Sequence, residues 1–203
     1  MFKGLTKDLT GTADICSATT DPTKLLVGPY LLPGEEVLFA FQSGKEEFVF
    51  TNEALITLEG ANAATTRKLV ERFEYREHAV HDVQFETTGR IDRDCEIKFV
   101  IGTKEISIDI ARKEENAVKI YYKALLALSR EQEERQRNWQ FAQDGVDHAS
   151  NAMKLKNMSI SNNENAAPLV SQATSVLNWM QADYARFNAR CYKDTIKLAL
   201  RTA

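Results

Sequence analysis

From Val37 to Ala111 the apolar side chains recur mostly at every second position, and beyond Arg112 at every third or fourth. This change of period predicts a run of short strands followed by a helix. Val37, Phe39 and Phe41 begin the run, and Ser43-Gly44-Lys45 turns the chain into Phe48-Val49-Phe50. Thr51-Asn52-Glu53 closes that second strand, and Leu55-Ile56-Thr57-Leu58 forms the third. A stretch of small residues from Gly60 to Thr66 leads to a fourth, around Leu69 to Tyr75. Val83, Phe85 and Thr87 alternate strictly with Asp82, Gln84 and Glu86, the pattern of a half-buried fifth strand. After the polar turn from Gly89 to Asp94 come Ile97, Phe99 and Ile101, then Ile106, Ile108 and Ile110. Between these two strands Gly102-Thr103 suits a two-residue hairpin loop with glycine first.

In the helix, Val118, Tyr121, Tyr122, Leu125 and Leu128 fall on one wide face, with Glu114 and Glu115 in the first turn, where the helix dipole favours negative charge. Seven short strands and one such helix predict an α+β domain: a partly open antiparallel barrel with a helix capping one end. The chain then turns polar through Asn138, with Glu131–Arg135 and Glu133–Arg137 spaced to support a solvated helix. Apolar spacing returns at Trp139, Ala142, Val146, Ala149 and Met153. A polar loop from Ser159 to Asn165 leads to a last helix with Pro168 in its first turn. That helix carries Leu169, Ala173, Val176, Met180, Phe187 and Cys191, widened by Leu177 and Tyr184. The two form an antiparallel helical hairpin. The chain is thus read as an N-terminal segment over residues 1–34 with a short helix after Asp21-Pro22, a barrel domain over 35–129 and a hairpin extension over 130–203.

Composition adds compartment and charge. The opening Met1-Phe2-Lys3-Gly4-Leu5 runs into polar residues, and no apolar stretch approaches the roughly 20 residues that a spanning helix needs. Cys16, Cys95 and Cys191 lie far apart without metal or redox spacing, so free thiols and a cytoplasmic location are expected. Residues 35–112 hold ten Lys and Arg against sixteen Asp and Glu, which makes the strand-rich part acidic. Nucleic-acid binding needs a coherent basic patch and is not expected there.

Pro33-Gly34-Glu35-Glu36-Val37, Phe48-Val49-Phe50-Thr51-Asn52, and Val83 to Gly89 continuing through Asp92 to Lys98 resemble the bacterial pleckstrin-homology (PH) domain family over roughly residues 25–128. The resemblance implies a PH-like seven-stranded, partly open barrel with a C-terminal helix, a tendency to form rings or other oligomers, and in some members a helical extension. The chain departs from the family where Glu53-Ala54 stands in place of the basic residues that commonly follow the Thr-Asn turn. Lipid-binding pleckstrin domains gather bases around the first hairpin loop. Here that loop is Ser43-Gly44-Lys45-Glu46-Glu47, one base against two acids.

Candidate chemistry is sparse. His78 and His81 are three apart on a segment joining strands, where they point opposite ways, so surface imidazoles are expected rather than a metal site. Cys95 sits beside Asp94 and Glu96, the wrong setting for an activated thiolate. Arg67, Lys68 and Arg72 form the main basic cluster and the candidate anion contact, although Glu71, Glu74 and Glu77 interleave with it. Trp139, Trp179 and Tyr184 are the candidate partner contact, since large aromatics anchor interfaces. No cofactor or metal is called for. The expected function is a non-catalytic intracellular interaction or scaffolding module that self-associates or holds a protein partner. The alternative is a peripheral membrane or lipid-headgroup binder, which the acidic barrel disfavours.

Overall fold

Eight strands form two antiparallel sheets in the computed structural model, which describes residues 15–60, 68–87, 94–157 and 166–201. The five-stranded sheet runs in chain order: β1 (Ser17–Thr19), β2 (Val37–Gln42), β3 (Glu46–Thr51), β4 (Ala54–Gly60) and β5 (Lys68–Glu74). The three-stranded sheet comprises β6 (Val80–Glu86), β7 (Asp94–Ile101) and β8 (Lys104–Ala111). Seven of these are the strands that the alternation predicts. The eighth, β1, is three residues long and too short to show a period. It nevertheless joins the sheets: Ser17–Thr19 pairs with β2, while Cys16 bridges in parallel to Ile110 of β8. The Ala18 N–H donates to the Glu114 carboxylate at 2.7 Å, so an acid expected to serve the helix dipole ties down β1.

Three helices follow: α1 (Glu115–Asn157), α2 (Ala166–Phe187) and α3 (Lys193–Arg201). The expected capping helix and first hairpin helix are one continuous element, α1. By compactness the chain divides into one unit of residues 1–131 with 190–203 and a second of residues 132–189. The division after Glu131 falls beside the boundary drawn from sequence, and α3, grouped from sequence with the hairpin extension, lies in the first unit. The last hairpin helix also ends earlier than expected, at Phe187 rather than Cys191. The Tyr192 N–H donates to Asn52 O at 2.8 Å, so the chain there follows the β3–β4 turn rather than the helix.

In the first unit, the inward positions of both sheets enclose one interior. Phe39, Phe41, Phe48, Phe50 and Leu55 face Cys95, Ile97, Phe99, Ile101, Ile106, Ile108 and Ile110, all buried. Val118, Ala124, Leu125 and Leu128 of α1 seal this interior, and Phe39 stacks on Phe50 at 4.4 Å and on Tyr121 at 4.9 Å. The other face of the five-stranded sheet is covered as well. Leu25 and Val27 pack on Ala40, Val49 and Ile56, between turns of 3-10 helix at Pro22–Lys24 and Gly28–Tyr30. The hairpin loop at Gly102-Thr103 forms as expected, with Gly102 at φ 61°; a Cβ there would meet the His78 ring at 2.8 Å, so glycine is required twice over.

Tyr192 and Ile196 extend the same core, with the Tyr192 ring edge-on to Tyr75 at 5.9 Å. Truncating a buried isoleucine costs about 2–5 kcal/mol. Ile196→Ala is expected to lower unfolding free energy by about 3 kcal/mol in urea titration, and Leu198→Ala on the exposed side of α3 to change it little. Equal effects of the two would show that α3 does not belong to the core.

Candidate functional site

A dense polar cluster of the first unit is built on Glu35, which follows the Pro33-Gly34 turn, where Gly34 has φ 85°. The Glu35 side chain is 1% exposed. Arg72 of β5 reaches both of its oxygens through Nη1 at 2.9 and 3.0 Å, the Thr51 hydroxyl donates at 2.5 Å, and the Leu32 N–H donates at 2.9 Å. Arg72 Nε also donates to Glu74 at 2.7 Å. Burial pushes the Glu35 carboxyl upward, but the hydrogen bonds from Arg72, Thr51 and Leu32 outweigh it and hold the group below its ordinary value. A carboxylate so held keeps no proton to give at neutral pH. Its role is to pin the entry to β2 against β3 and β5.

The next residue, Glu36, serves α3. Lys193 and Lys197 each contact its carboxylate at 2.5 Å. The Glu36 N–H donates to Asn52 Oδ1 at 2.7 Å, and the Asn52 N–H to Glu36 O at 3.0 Å. Solvent screens ion pairs this exposed, so they add less than the burial of one isoleucine. Apolar contact therefore holds α3, and the lysines set its register. The Pro33–Val37 and Thr51-Asn52 blocks thus form a receptor for the last helix, a role invisible in their spacing.

The sequence-nominated residues fall in separate places. Arg67 lies outside the described residues. Lys68 is exposed on β5, an edge strand, and Arg72 pairs with Glu35 and Glu74 through Nη1 and Nε, while its buried Nη2 has no hydrogen-bond partner among the described residues. Glu47, counted only as a loop acid from sequence, is buried and accepts the Leu26 and Val27 N–H groups at 2.8 and 3.0 Å. It pins the N-terminal segment to the outer sheet face. His78 stands edge-on to Phe73 at 5.8 Å, and His81 lies against Asp82 at 2.9 Å, beside a bulge where Asp82 takes φ 52°. The Cys95 thiol faces the Ile110 carbonyl, and burial pushes its pKa up to about 11, which keeps it unreactive.

In the second unit the aromatic trio is partly assembled. Trp139 of α1 and Tyr184 of α2 pack edge-to-face at 5.3 Å, and Trp179 lies over Gly145, where a Cβ would come within 3.6 Å of its ring. Val176, Met180, Asp183 and Phe187 form the half-buried stripe of α2. Leu177, Trp179 and Tyr184 are exposed, as is Phe141 of α1, which is 80% exposed and was not nominated from sequence. Phe141 lies outside the stripe of Trp139, Ala142 and Val146, so periodicity gave it no weight.

Residues 5–129 match the family described as Bacterial PH domain. The chain belongs to the bacterial PH domain family. Among relatives, this bacterial PH domain protein is similar to the uncharacterized protein YvbH of Bacillus subtilis (strain 168), at 32% identity over 133 residues. That match covers 64% of this chain and 65% of YvbH, just under two thirds of the relative's length. Among solved structures it resembles a PH domain containing bacterial protein from Exiguobacterium sibiricum 255-15, with a TM-score of 0.80 and 29% identity. The likeness covers 93% of this chain and 100% of the other, so it extends past the PH domain into the C-terminal helices. A pleckstrin-homology protein from Shewanella loihica PV-4 matches at a TM-score of 0.45 and 19% identity, over 57% of this chain and 98% of that one.

The Glu35 cluster makes its own prediction. Removing one member of a buried pair costs about 3–5 kcal/mol, so Glu35→Ala is expected to destabilise by about 3 kcal/mol at pH 7. A carboxyl held low in the fold stabilises above its ordinary value of 4.5 and loses that contribution as pH falls further. The gap between variant and parent in urea titration should therefore narrow between pH 5 and pH 3, and a gap that widens on acidification would refute the assignment.

Proposed function

We propose that this bacterial PH domain protein is a non-catalytic interaction module that associates with copies of itself through its second unit. The observation that carries this is the surface of α2. Its 22 residues include one acid, Asp183, and one base, Arg186, yet Leu177, Trp179 and Tyr184 are exposed. Two antiparallel helices bury one stripe each, and an apolar surface left over asks for another partner. A contact between identical surfaces sets like against like, so it favours a surface without net charge. A helix that touched anionic membrane would instead carry lysine or arginine beside its apolar face. Among the described residues no helix is long and apolar enough to cross a membrane. Support for a non-catalytic role comes from the first unit, where Glu35, Glu36, Glu47 and Arg72 each serve to fasten one segment to another.

Sedimentation equilibrium is the direct test. The full chain is expected to exceed its monomer mass of 22.9 kDa at micromolar concentration. Leu177→Asp and Phe141→Asp, both at exposed positions, are expected to shift it toward that mass without loss of helical signal. A monomeric parent would sink self-association, and flotation of the chain with anionic vesicles at physiological salt would favour the lipid-binding alternative.

A further inference from the structure

We propose that β5 pairs edge to edge with β5 of a second copy of this chain, antiparallel and in one register. β5 ends the five-stranded sheet, and among the described residues no strand pairs with its outer edge. Such an edge presents a row of unpaired N–H and C=O groups, which proteins blunt with bulges, short strands or covering segments. The other sheet ends are treated in that way. β1 is three residues long and meets β8 through Cys16, which bonds to Asp109 O and the Ala111 N–H at 2.8 and 3.1 Å. β6 carries a bulge between His81 and Gln84, with Asp82 at φ 52°. β5 has neither device. Its residues Lys68 to Glu74 pair with Gly60 to Ala54 without a shift of register, and none of them is buried.

The side chains of β5 select a second β5 as the occupant. Residues directly opposite in an antiparallel pair lie on the same face of the sheet, so a two-fold axis through the sheet has to pass through one residue of the strand. Centred on Glu71, the pairing sets Lys68 opposite Glu74, Leu69 opposite Phe73 and Val70 opposite Arg72, each twice. Opposite charges then meet at both ends, and Leu69, 57% exposed in one copy, gains a phenylalanine beside it. The two Glu71 side chains meet at the centre, where each has Lys104 of its own copy against it. Moving the centre by one residue loses the match. At Val70, Lys68 faces Arg72, and at Arg72 two guanidinium groups face each other. The charges that would repel an arbitrary strand thus admit this one. The contact is isologous and lies in the first unit, separate from the association proposed for α2.

Disulfide trapping in the full chain reads the register. Cys16 and Cys95 are buried and Cys191 is exposed, so every variant also carries Cys191→Ser. Opposed residues have Cα atoms about 4.5–5.5 Å apart, within the reach of roughly 7 Å that a disulfide allows. Glu71→Cys is therefore expected to give a covalent dimer on mild oxidation. Lys68→Cys is not, because its counterpart in the second copy lies about 20 Å away along the strand. A mixture of Lys68→Cys and Glu74→Cys chains, each silent alone, is expected to form the mixed dimer, and it covers the case in which Glu71→Cys fails to fold or to close the bond. Leu69→Asp, at an exposed position, is expected to reduce trapping at least tenfold, whereas Leu177→Asp on α2 is expected to leave it, which separates this contact from the one proposed there. Failure of both Glu71→Cys and the mixture to cross-link, cross-linking of Lys68→Cys alone, undiminished trapping with Leu69→Asp, or its loss with Leu177→Asp overturns the proposal.

Discussion

The enclosed aromatic interior of the first unit is the constraint on which the rest of that unit depends. Phe39, Phe41, Phe48, Phe50 and Phe99 meet between two sheets that a short strand and one parallel bridge hold together. Burying a phenylalanine is worth about 1.5–3 kcal/mol, and a domain retains only about 5–15 kcal/mol of net stability. An interior left open to water at either end would forfeit much of that margin. The first turns of α1 seal it with Val118, Leu125 and Leu128, and α3 adds Tyr192 and Ile196.

Polar chemistry in this unit follows from that closure. Carboxylates fasten three segments that lack a long strand or helix of their own, the N-terminal turns by Glu47, β1 by Glu114 and the entry to β2 by Glu35, while Glu36 sets the register of the apolar-held α3. Acids that look like a solvated face in the sequence thus include several structural anchors. Arg72, the most attractive base on paper, spends its Nε on Glu74 and its Nη1 on Glu35.

The second unit follows a different logic. Its two helices cover one stripe each and leave apolar side chains in water. A fold built for itself alone would place charge on the outside and apolar atoms within. Here apolar side chains stay outside, which is why the association named in the proposed function falls on this unit.

The strand and helix faces were legible because they are local. Alternation at Ile97, Phe99 and Ile101, or the spacing of Val118, Leu125 and Leu128, needs only neighbours in the chain to be recognised. The Gly102 turn was legible for the same reason, since one residue sets its backbone. By contrast, Glu35 meets Arg72 across 37 positions, and Lys197 meets Glu36 across 161. No period encodes such a pairing, which exists only once the sheet register and the return of the chain bring the groups together. The sequence alone therefore determined the seven longer strands, the helical stretches that follow them and the inward positions of each. Tertiary structure decided which acids are anchors, where α2 stops, that α3 closes the first unit, and which aromatic residues stay exposed, because each depends on contacts between segments far apart in the chain.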